Sequence, residues 1–275
     1  MFIHGKKIFL DTENSITIYQ KLIKEFNDVS ILESVIGGEN KGRYSIILFN
    51  IYDNIEIHQN HIVSNLKKKK IASPNLYLKS LQKNNNFTDL YNKKIPIPFT
   101  IGNISFDFAK FSLPKLKYDM TKSEINIPLA HFVKPKNLII IDNILNETHL
   151  IEFSINKNKN KTKLSKIEDL LLSTPKQNKK NLFIKPSSFK KHMSKNIFFE
   201  KVNNLKKEII NGEIFQAVLS QRFSAKYEID PFKFYRALRS INPSPYLVFL
   251  NLKKYQIICS SPETMINVKN KKVTL

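Results

Sequence analysis

An apolar stretch at residues 211–223, NGEIFQAVLSQRF, carries polar side chains at regular intervals. The amide of Gln216, the hydroxyl of Ser220 and the guanidinium of Arg222 would share one face of an extended strand, because strand side chains alternate between faces. Such groups suit a small ligand that bears a carboxylate. A strand with one wetted face has the same pattern, and spacing does not distinguish it from the wall of a substrate cleft.

Arginine is rare in this chain and is concentrated near that stretch. Of the 45 basic residues 41 are lysine, whereas Arg222, Arg236 and Arg239 are three of only four arginines. Arginine offers a planar fork of donors, so its clustering indicates that fork geometry matters there. The formal charge of +22 invites a nucleic-acid interpretation, but such surfaces favour arginine. Because Lys, Asn and Ile share A/T-rich codons, a biased genome accounts for the excess, and we expect no nucleic-acid partner.

The composition predicts a folded, cytoplasmic protein. The 275 residues and the apolar fraction of 41% suffice for one large domain or two modest ones. No apolar run reaches about 18 residues, so no membrane span is expected, and the first residues lack the features of a signal peptide. Cys259 is the only cysteine, which excludes a disulfide framework and a cysteine zinc site.

Periodicity predicts the elements that would position the polar side chains. Apolar residues at helical spacing predict helices at residues 15–26, 73–84, 198–210 and 231–241. Alternation and turn signals predict strands or hairpins at residues 7–10, 30–34, 43–65, 95–108, 137–155, 213–223, 246–260 and 264–275. Hairpin turns are expected at Asp53-Asn54, Gln59-Asn60, Asn146-Glu147 and Lys253-Lys254. The lysine-rich runs at 66–72 and 156–163 are interpreted as solvated loops.

Two separate segments identify a family. The first is ILESVIGGENKGRYSII at residues 31–47, and the second comprises NGEIFQAVLSQRF, FYRALRSINPSPYLVFL and CSSPE. Together, and in this order, they resemble the chorismate-utilising enzymes, above all component I of anthranilate synthase. The resemblance covers most of the chain and is looser between residues 50 and 190, where Phe106 stands at a usual tyrosine position.

The resemblance implies a fold and a domain organisation. The fold is α+β, with antiparallel sheets packed in a sandwich and helices at the periphery. Residues 1–155 are expected to form a regulatory, tryptophan-sensing domain. Residues 188–275 would begin the chorismate-binding catalytic domain, after a Lys- and Asn-rich linker at 156–187.

The resemblance also implies a reaction. The family's enzyme adds ammonia to chorismate with the help of Mg²⁺ and then eliminates pyruvate to leave anthranilate, in the biosynthesis of tryptophan. A glutamine amidotransferase partner, component II, supplies the ammonia. The family's magnesium glutamates and most of its chorismate contacts come later than residue 275. We therefore expect no metal ligand in this chain, which looks truncated and should be inactive by itself.

Within the chain, the resemblance implies one catalytic residue. Glu263, in SSPE, matches a family glutamate close to the chorismate ring, where a carboxyl group could act as general acid or base. Without the family, an ordinary turn residue is the better interpretation. The same resemblance places Gln216, Gln221 and Arg222 in the framework of the cleft.

The resemblance further implies an allosteric site for L-tryptophan. Such a ligand needs an apolar slot for the indole and polar groups for its zwitterionic end. The matching residues are Glu33, Ser34, Pro245, Tyr246 and Leu247, with Arg43 and Tyr44 in support. Glu33 and Ser34 would hold the polar end, and the other three would shape the slot.

Two other functions fit the same residues. Component I of aminodeoxychorismate synthase is the nearest rival, although QAVLSQRF and LESVIGGENKGRYS favour anthranilate synthase. From a different class, the chain could be a non-catalytic tryptophan-binding fragment. Tryptophan binding without turnover of chorismate would fit that hypothesis.

Overall fold

The computed structural model describes residues 1–34, 42–83, 88–89, 91, 95–113, 115, 125–157, 161–173, 188–226, 229–269 and 272–274. The chain divides into two compact units. The first unit comprises Met1–Lys176 and Tyr235–Leu275, and the second comprises Gln177–Phe234. The predicted functional boundaries at 155 and 187 stay a prediction. None of the helices in the described part is both long and apolar enough to cross a membrane.

The described residues form strands and helices in alternating groups. The strands are β1 (Phe2–Ile8), β2 (Ser30–Glu33), β3 (Tyr44–Ile57), β4 (His61–Ser64), β5 (Lys67–Lys70), β6 (Thr88–Asp89), β7 (Ile101–Ile104), β8 (Ala130–Asp142), β9 (Glu147–Ser154), β10 (Lys190–Lys191), β11 (Phe223–Ser224), β12 (Tyr246–Asn251), β13 (Gln256–Ser261), β14 (Asn267–Lys269) and β15 (Lys272–Thr274). The helices are α1 (Ser15–Leu22), α2 (Pro74–Lys83), α3 (Ala109–Ser112), α4 (Lys161–Leu172), α5 (Lys195–Ile210) and α6 (Pro231–Ile241).

One sheet organises the first unit. Its strand order is β13-β12-β2-β3-β8-β9-β1-β6, with β4 and β5 extending from β3 and β7 pairing with β8. The pairings are antiparallel except for that of β1 with β6. The buried core includes Leu48, Leu138, Ile140 and Ile151 from its central strands. The predicted α+β class is confirmed, since the described residues combine helices with a mainly antiparallel sheet.

The long strand β3 differs from the prediction. A hairpin was expected at Asp53-Asn54, but β3 continues through these residues beside β8, with a shift of register between Ile51 and Asp53. Both side chains have partners there: Ser64 Oγ donates to Asp53, and Asn54 Oδ1 lies 2.6 Å from Nε2 of His131. The bulge absorbs the turn-forming residues without ending the strand. The expected turn at Gln59-Asn60 is confirmed, because β3 and β4 pair around it.

The lysine run after β4 is also different from the prediction. Residues Lys67–Lys70 were expected to lie in a loop, yet they form β5 and pair with β4. The turn between the two strands has Asn65 and Leu66 at positive φ, 47° and 68°, which suits a tight hairpin. All four lysines are exposed, so only their solvation was predicted correctly.

Helix α4 packs on the first unit although it begins within the segment predicted as a linker. Leu164, Ile167 and Leu171 are buried, and Lys21 Nζ of α1 donates to the carbonyl oxygen of Leu171. Helix α1 itself ends at Leu22, four residues before the predicted end. This part of the predicted linker therefore belongs to the core rather than to a connection.

The second unit contains α5 and a short ribbon of β10 and β11. Helix α5 ends before Gly212, whose φ of 79° suits the residue just beyond a helix. The strand predicted at residues 213–223 is wrong, since only Phe223 and Ser224 are in a strand. A strand needs a neighbour for its backbone hydrogen bonds, and residues 213–222 pair with no described strand. Phe215 is accordingly 100% exposed.

Candidate functional site

Glu33 ends β2 in the interior of the first unit. It is 6% exposed and accepts three hydrogen bonds from side chains. Ser15 Oγ donates to Oε2 at 2.6 Å, while Tyr235 Oη and Arg239 Nε donate to Oε1 at 2.5 and 2.7 Å. A buried carboxylate is tolerated when charge-assisted hydrogen bonds and a cation compensate for lost hydration. We call these four residues the Glu33 cluster.

Two helices supply the partners of Glu33. Ser15 opens α1, which Asn14 caps by accepting hydrogen bonds from the backbone N–H groups of Ile16 and Thr17. Tyr235 and Arg239 are four residues apart on α6 and therefore share one face of that helix. Asp230 starts α6 by accepting a hydrogen bond from the backbone N–H of Phe232 at 2.8 Å. The cluster thus fixes β2, α1 and α6 to one another.

The Tyr235 phenol is a permanent donor in this cluster. Burial, the charge of Glu33 and the hydrogen bond to it raise the pKa of Tyr235 well above its usual range. The ring is 0% exposed and lies against Phe249 of β12, with the ring centroids 5.8 Å apart. Its packing therefore aims the hydroxyl at Glu33 rather than at solvent.

A polar cavity of about 570 Å³ borders the cluster. It is lined by residues from α1, the end of β2, the start of β3 and the turn after β8: Glu13, Asn14, Ser15, Glu33, Ser34, Gly42, Arg43, Ser45, Ile141, Asn143, Ile144, Asn146 and Arg239. Hydroxyl, amide, carboxylate and guanidinium groups therefore face one space, and such a set suits a zwitterionic ligand.

Arg43 is held in place at the wall of this cavity. Its Nε and Nη2 donate to Asp142 Oδ2 at 3.0 and 2.7 Å, and its guanidinium lies 5.0 Å from the centroid of the Tyr44 ring. Burial raises the pKa of Asp142, but hydrogen bonds from Arg43 and from the amides of Leu145 and Ile144 outweigh it and lower that pKa. Asp142 is therefore a charged anchor for Arg43.

The sheet brings the two sequence-predicted segments of the tryptophan site together. β2 and β12 are neighbours, with Glu33 directly opposite Leu247, and Ser34 lines the cavity. Leu247 is 0% exposed and Tyr246 is 38% exposed. None of Pro245, Tyr246 and Leu247 lines the cavity; the Tyr246 hydroxyl contacts that of Thr264. The structure thus pairs Glu33 with Leu247, whereas of the five predicted residues only Glu33 and Ser34 line the cavity.

Glu263 lies apart from this cavity. It is exposed, in the turn after β13, where its carbonyl oxygen accepts a hydrogen bond from Ser261 Oγ at 3.3 Å. Its catalytic role stays a prediction.

The polar residues of the stretch 211–223 lie in the second unit. Gln216 and Ser220 are exposed. Gln221 Nε2 donates to the carbonyl oxygen of Met193 at 2.8 Å, and Arg222 Nη2 lies 3.0 Å from Nδ1 of His192. Gln221 and Arg222 therefore hold the chain before α5, and their predicted place in the framework of the cleft stays a prediction.

Sequence reasoning missed three members of the Glu33 cluster. The i, i+4 spacing of Tyr235 and Arg239 and the clustering of arginines were visible signals, but neither identifies Glu33 as their partner. Ser15 had no signal beyond its place at the start of a helix. The described residues contain no group of three or more His, Cys, Asp or Glu side chains that could hold a metal ion.

Comparison with known proteins matches the sequence of this chain to one family. A model of the chorismate binding enzymes matches residues 33–275. Anthranilate synthase component 1 of Lactococcus lactis subsp. lactis (strain IL1403) is 31% identical over 275 residues, 98% of this chain and 59% of that protein. The protein of that name from Acetivibrio thermocellus is 28% identical, over 96% of this chain and 56% of its own length.

A solved structure is similar as well. The crystal structure of anthranilate synthase component I from Streptococcus pneumoniae TIGR4 matches with a TM-score of 0.68 and 28% sequence identity, covering 87% of this chain and 56% of that one. The chain therefore spans between half and two thirds of the length of these relatives.

Proposed function

This chain belongs to the family of chorismate binding enzymes, and from that premise we propose that it serves as component I of anthranilate synthase. In the proposed reaction chorismate and ammonia give anthranilate, pyruvate and water. Ammonia would come from glutamine through an amidotransferase partner, component II. Relatives that carry this name, at 31% and 28% identity, support the proposal.

The observation that carries the proposal is the pairing of β2 with β12. The segments around LES and NPSPYL are far apart in sequence, yet Glu33 and Leu247 stand opposite each other in neighbouring strands. A polar cavity opens beside Glu33. We propose that this cavity receives the zwitterionic end of L-tryptophan at Glu33 and Ser34, and that Pro245, Tyr246 and Leu247 shape the slot for the indole.

The Glu33 cluster offers a mechanism for feedback inhibition. Glu33 already links β2 to Ser15 of α1 and to Tyr235 and Arg239 of α6. A ligand ammonium beside Glu33 would strengthen this connection and favour the state in which α6 is held against β2. Inhibition then requires only that this state be less active than the one it displaces.

The metal of the family is Mg²⁺, which would act as a Lewis acid toward the substrate carboxylate and the departing ring hydroxyl. The described residues contain no group of three or more His, Cys, Asp or Glu side chains that would hold this ion. For Glu263 we propose proton transfer at the ring hydroxyl. In the intact enzyme, Glu263→Gln should cut turnover sharply and leave chorismate binding mostly intact; unchanged turnover would remove Glu263 from the mechanism.

The proposal is tested on the protein expressed from the whole gene, including any sequence that follows codon 275. The assay supplies chorismate, ammonium and Mg²⁺ and measures anthranilate and pyruvate with and without L-tryptophan. We expect both products, inhibition by L-tryptophan, and relief of inhibition by Ser34→Phe. Aminodeoxychorismate without pyruvate would point to the rival synthase. Tryptophan binding without any product would indicate a non-catalytic binding protein, and either result would overturn the proposal.

A further inference from the structure

A row of buried polar side chains crosses strands β8, β9 and β1 of the main sheet, away from the Glu33 cluster. His4 of β1 lies opposite Glu152 of β9, and Glu152 lies opposite Asn137 of β8. Directly opposed residues in antiparallel strands project from the same face. The exposed fractions of His4, Glu152 and Asn137 are 5%, 4% and 2%. Polar side chains that are buried to this extent are unusual, because the interior of a sheet normally contains apolar side chains.

Glu152 is the member of the row whose hydrogen bonding is incomplete. Its Oε2 is buried and accepts no hydrogen bond from the described residues. A buried carboxylate oxygen without a donor is costly. Glu33, in the same unit, is buried to a similar extent but accepts hydrogen bonds from three donors. The hydrogen bonding of a buried carboxylate is therefore complete at Glu33 and incomplete at Glu152.

The neighbours of Glu152 are fixed in position. Asn50 Nδ2 donates to Asn137 Oδ1 at 2.9 Å, and Asn50 has a φ of 56°, a conformation that non-glycine residues rarely adopt. Both carboxylate oxygens of Asp28 stabilise this bend, because the N–H groups of Asn50 and Ile51 donate to them at 2.9 Å. The bend in β3 therefore holds an amide pair beside the unpartnered carboxylate.

A cavity of about 530 Å³ opens at this row. Glu152, Asn137 and Asn50 contribute to its wall, and α4 and the residues after α1 enclose it. Its apolar wall consists of Phe26, Ile167 and Leu170. Phe26 is anchored by the buried ring of Phe49, with the ring centroids 4.9 Å apart. One wall of the cavity is thus apolar and fixed in position, and another wall is polar.

Charges of both signs border this cavity. Lys136 and Lys166 balance Glu25 and Glu152, so its charged lining is neutral in sum. Within the described residues neither lysine forms an ion pair. A ligand that carries one positive and one negative group matches such a lining better than a simple cation or anion does.

We propose that this cavity is a second ligand site, which binds a small zwitterion with an apolar side chain, such as an aliphatic amino acid. The ligand ammonium donates to Oε2 of Glu152, and its carboxylate faces Lys136 and Lys166. Its side chain packs against Phe26, Ile167 and Leu170. The site shares no residue with the Glu33 cavity, so this inference does not depend on the proposed function.

Three probes separate the contributions of the two charges. L-Leucine carries both charges, 3-methylbutylamine lacks the carboxylate, and 4-methylpentanoate lacks the ammonium. Binding to the full 275-residue chain is measured for each by saturation-transfer NMR with titration. We expect L-leucine to bind most tightly, the amine to bind more weakly, and the acid to show no saturable binding. Absence of saturable binding by both L-leucine and the amine would overturn the proposal.

Substitutions inside and outside the cavity locate the site. Glu152→Gln removes the charge that faces the ammonium and should weaken L-leucine binding by about tenfold or more. Glu168→Gln makes the same change on α4, where Glu168 pairs with Lys6 outside the cavity, and should alter affinity by less than about twofold. Ser34→Phe should leave L-leucine binding intact, which separates this site from the Glu33 cavity. Equal binding by wild type and Glu152→Gln would contradict the inference.

If Glu152→Gln does not fold, Lys166→Met provides a second test of the site. Lys166 is exposed on α4, so its replacement should not impair folding. The variant should lower the affinity for L-leucine toward that for 3-methylbutylamine and leave the amine unaffected. Retention of the full preference for L-leucine would show that the carboxylate does not face α4, and the proposed orientation would then be wrong.

Discussion

Glu33 and Glu263 are two carboxylates of the same compact unit with opposite surroundings. Glu33 is buried and receives hydrogen bonds from Ser15, Tyr235 and Arg239, whereas Glu263 is exposed in a turn. Both were singled out by the resemblance of short motifs. The difference shows that the described residues complete the environment of one motif and not of the other. An acid or base near a substrate needs its environment to set its proton affinity, and for Glu263 this environment is not formed by the described residues.

The largest expected difference is in stability. Glu33→Ala leaves the guanidinium of Arg239 and the buried hydroxyl of Tyr235 without their acceptor and should lower the free energy of unfolding by about 3 kcal/mol. Glu263→Ala removes an exposed side chain and should change it by less than about 0.5 kcal/mol. Urea unfolding of the two variants checks this, and equal midpoints would refute the contrast.

A buried histidine makes the stability of the first unit depend on pH. His131 is 0% exposed, and its Nδ1 lies 3.0 Å from the hydroxyl of Tyr255. Burial lowers the pKa of His131 to about 4, although Glu56 opposes the shift. The unfolded chain then takes up the proton first, so stability is lost as the pH falls from about 6.5 toward 4, by about 2 kcal/mol.

Urea unfolding at a series of pH values measures this loss. His131→Gln should flatten the slope between pH 6.5 and 4. Glu56, whose pKa is raised by burial but lowered overall by Lys254, contributes mainly at lower pH and should keep its effect in that variant. An unchanged slope in His131→Gln would show that another group is responsible.

A smaller effect distinguishes two tyrosines. Tyr235→Phe removes one donor from Glu33 and should lower the free energy of unfolding by about 1–2 kcal/mol. Tyr246→Phe removes a hydroxyl from a partly exposed ring, and its effect should stay below about 0.5 kcal/mol. Thermal unfolding of both variants at neutral pH is the measurement. A larger loss from Tyr246→Phe would mean that the contact with Thr264 carries more of the stability than the Glu33 cluster.

The smallest effect is expected in the second unit. Phe215 and Val218 are 100% and 86% exposed, so Phe215→Ser and Val218→Ser should each change the free energy of unfolding by less than about 0.5 kcal/mol. Chemical denaturation of the 275-residue chain tests this. A loss above about 1 kcal/mol would show that these side chains are buried against a partner.

Local chemistry explains the parts of the fold that were predictable. The turns at Asn146 and Lys253 have φ values of 50° and 65°, and the flanking alternation was readable without tertiary information. The helix caps at Asp230 and Gly212 are equally local. The continuation of β3 through Asp53-Asn54 was not predictable, because it depends on partners from β4 and β8.

The candidate site was likewise predictable only in part. Motif resemblance identified Glu33 and Ser34, but the donors to Glu33 come from elements that are distant in sequence, and no periodicity connects them. The stretch 213–223 shows the converse case. Its alternation is strand-like, yet a strand is a paired structure, and pairing cannot be read from one segment alone.

Binding of L-tryptophan in the Glu33 cavity can be measured directly. The chain contains no tryptophan, so the fluorescence of the added ligand reports its binding without background from the same fluorophore. We predict a saturable change at one ligand per chain with the wild type and with Glu263→Gln, and its loss with Ser34→Phe. If the wild type gives no saturable change, or if Ser34→Phe binds equally well, the cavity beside Glu33 is not the tryptophan site.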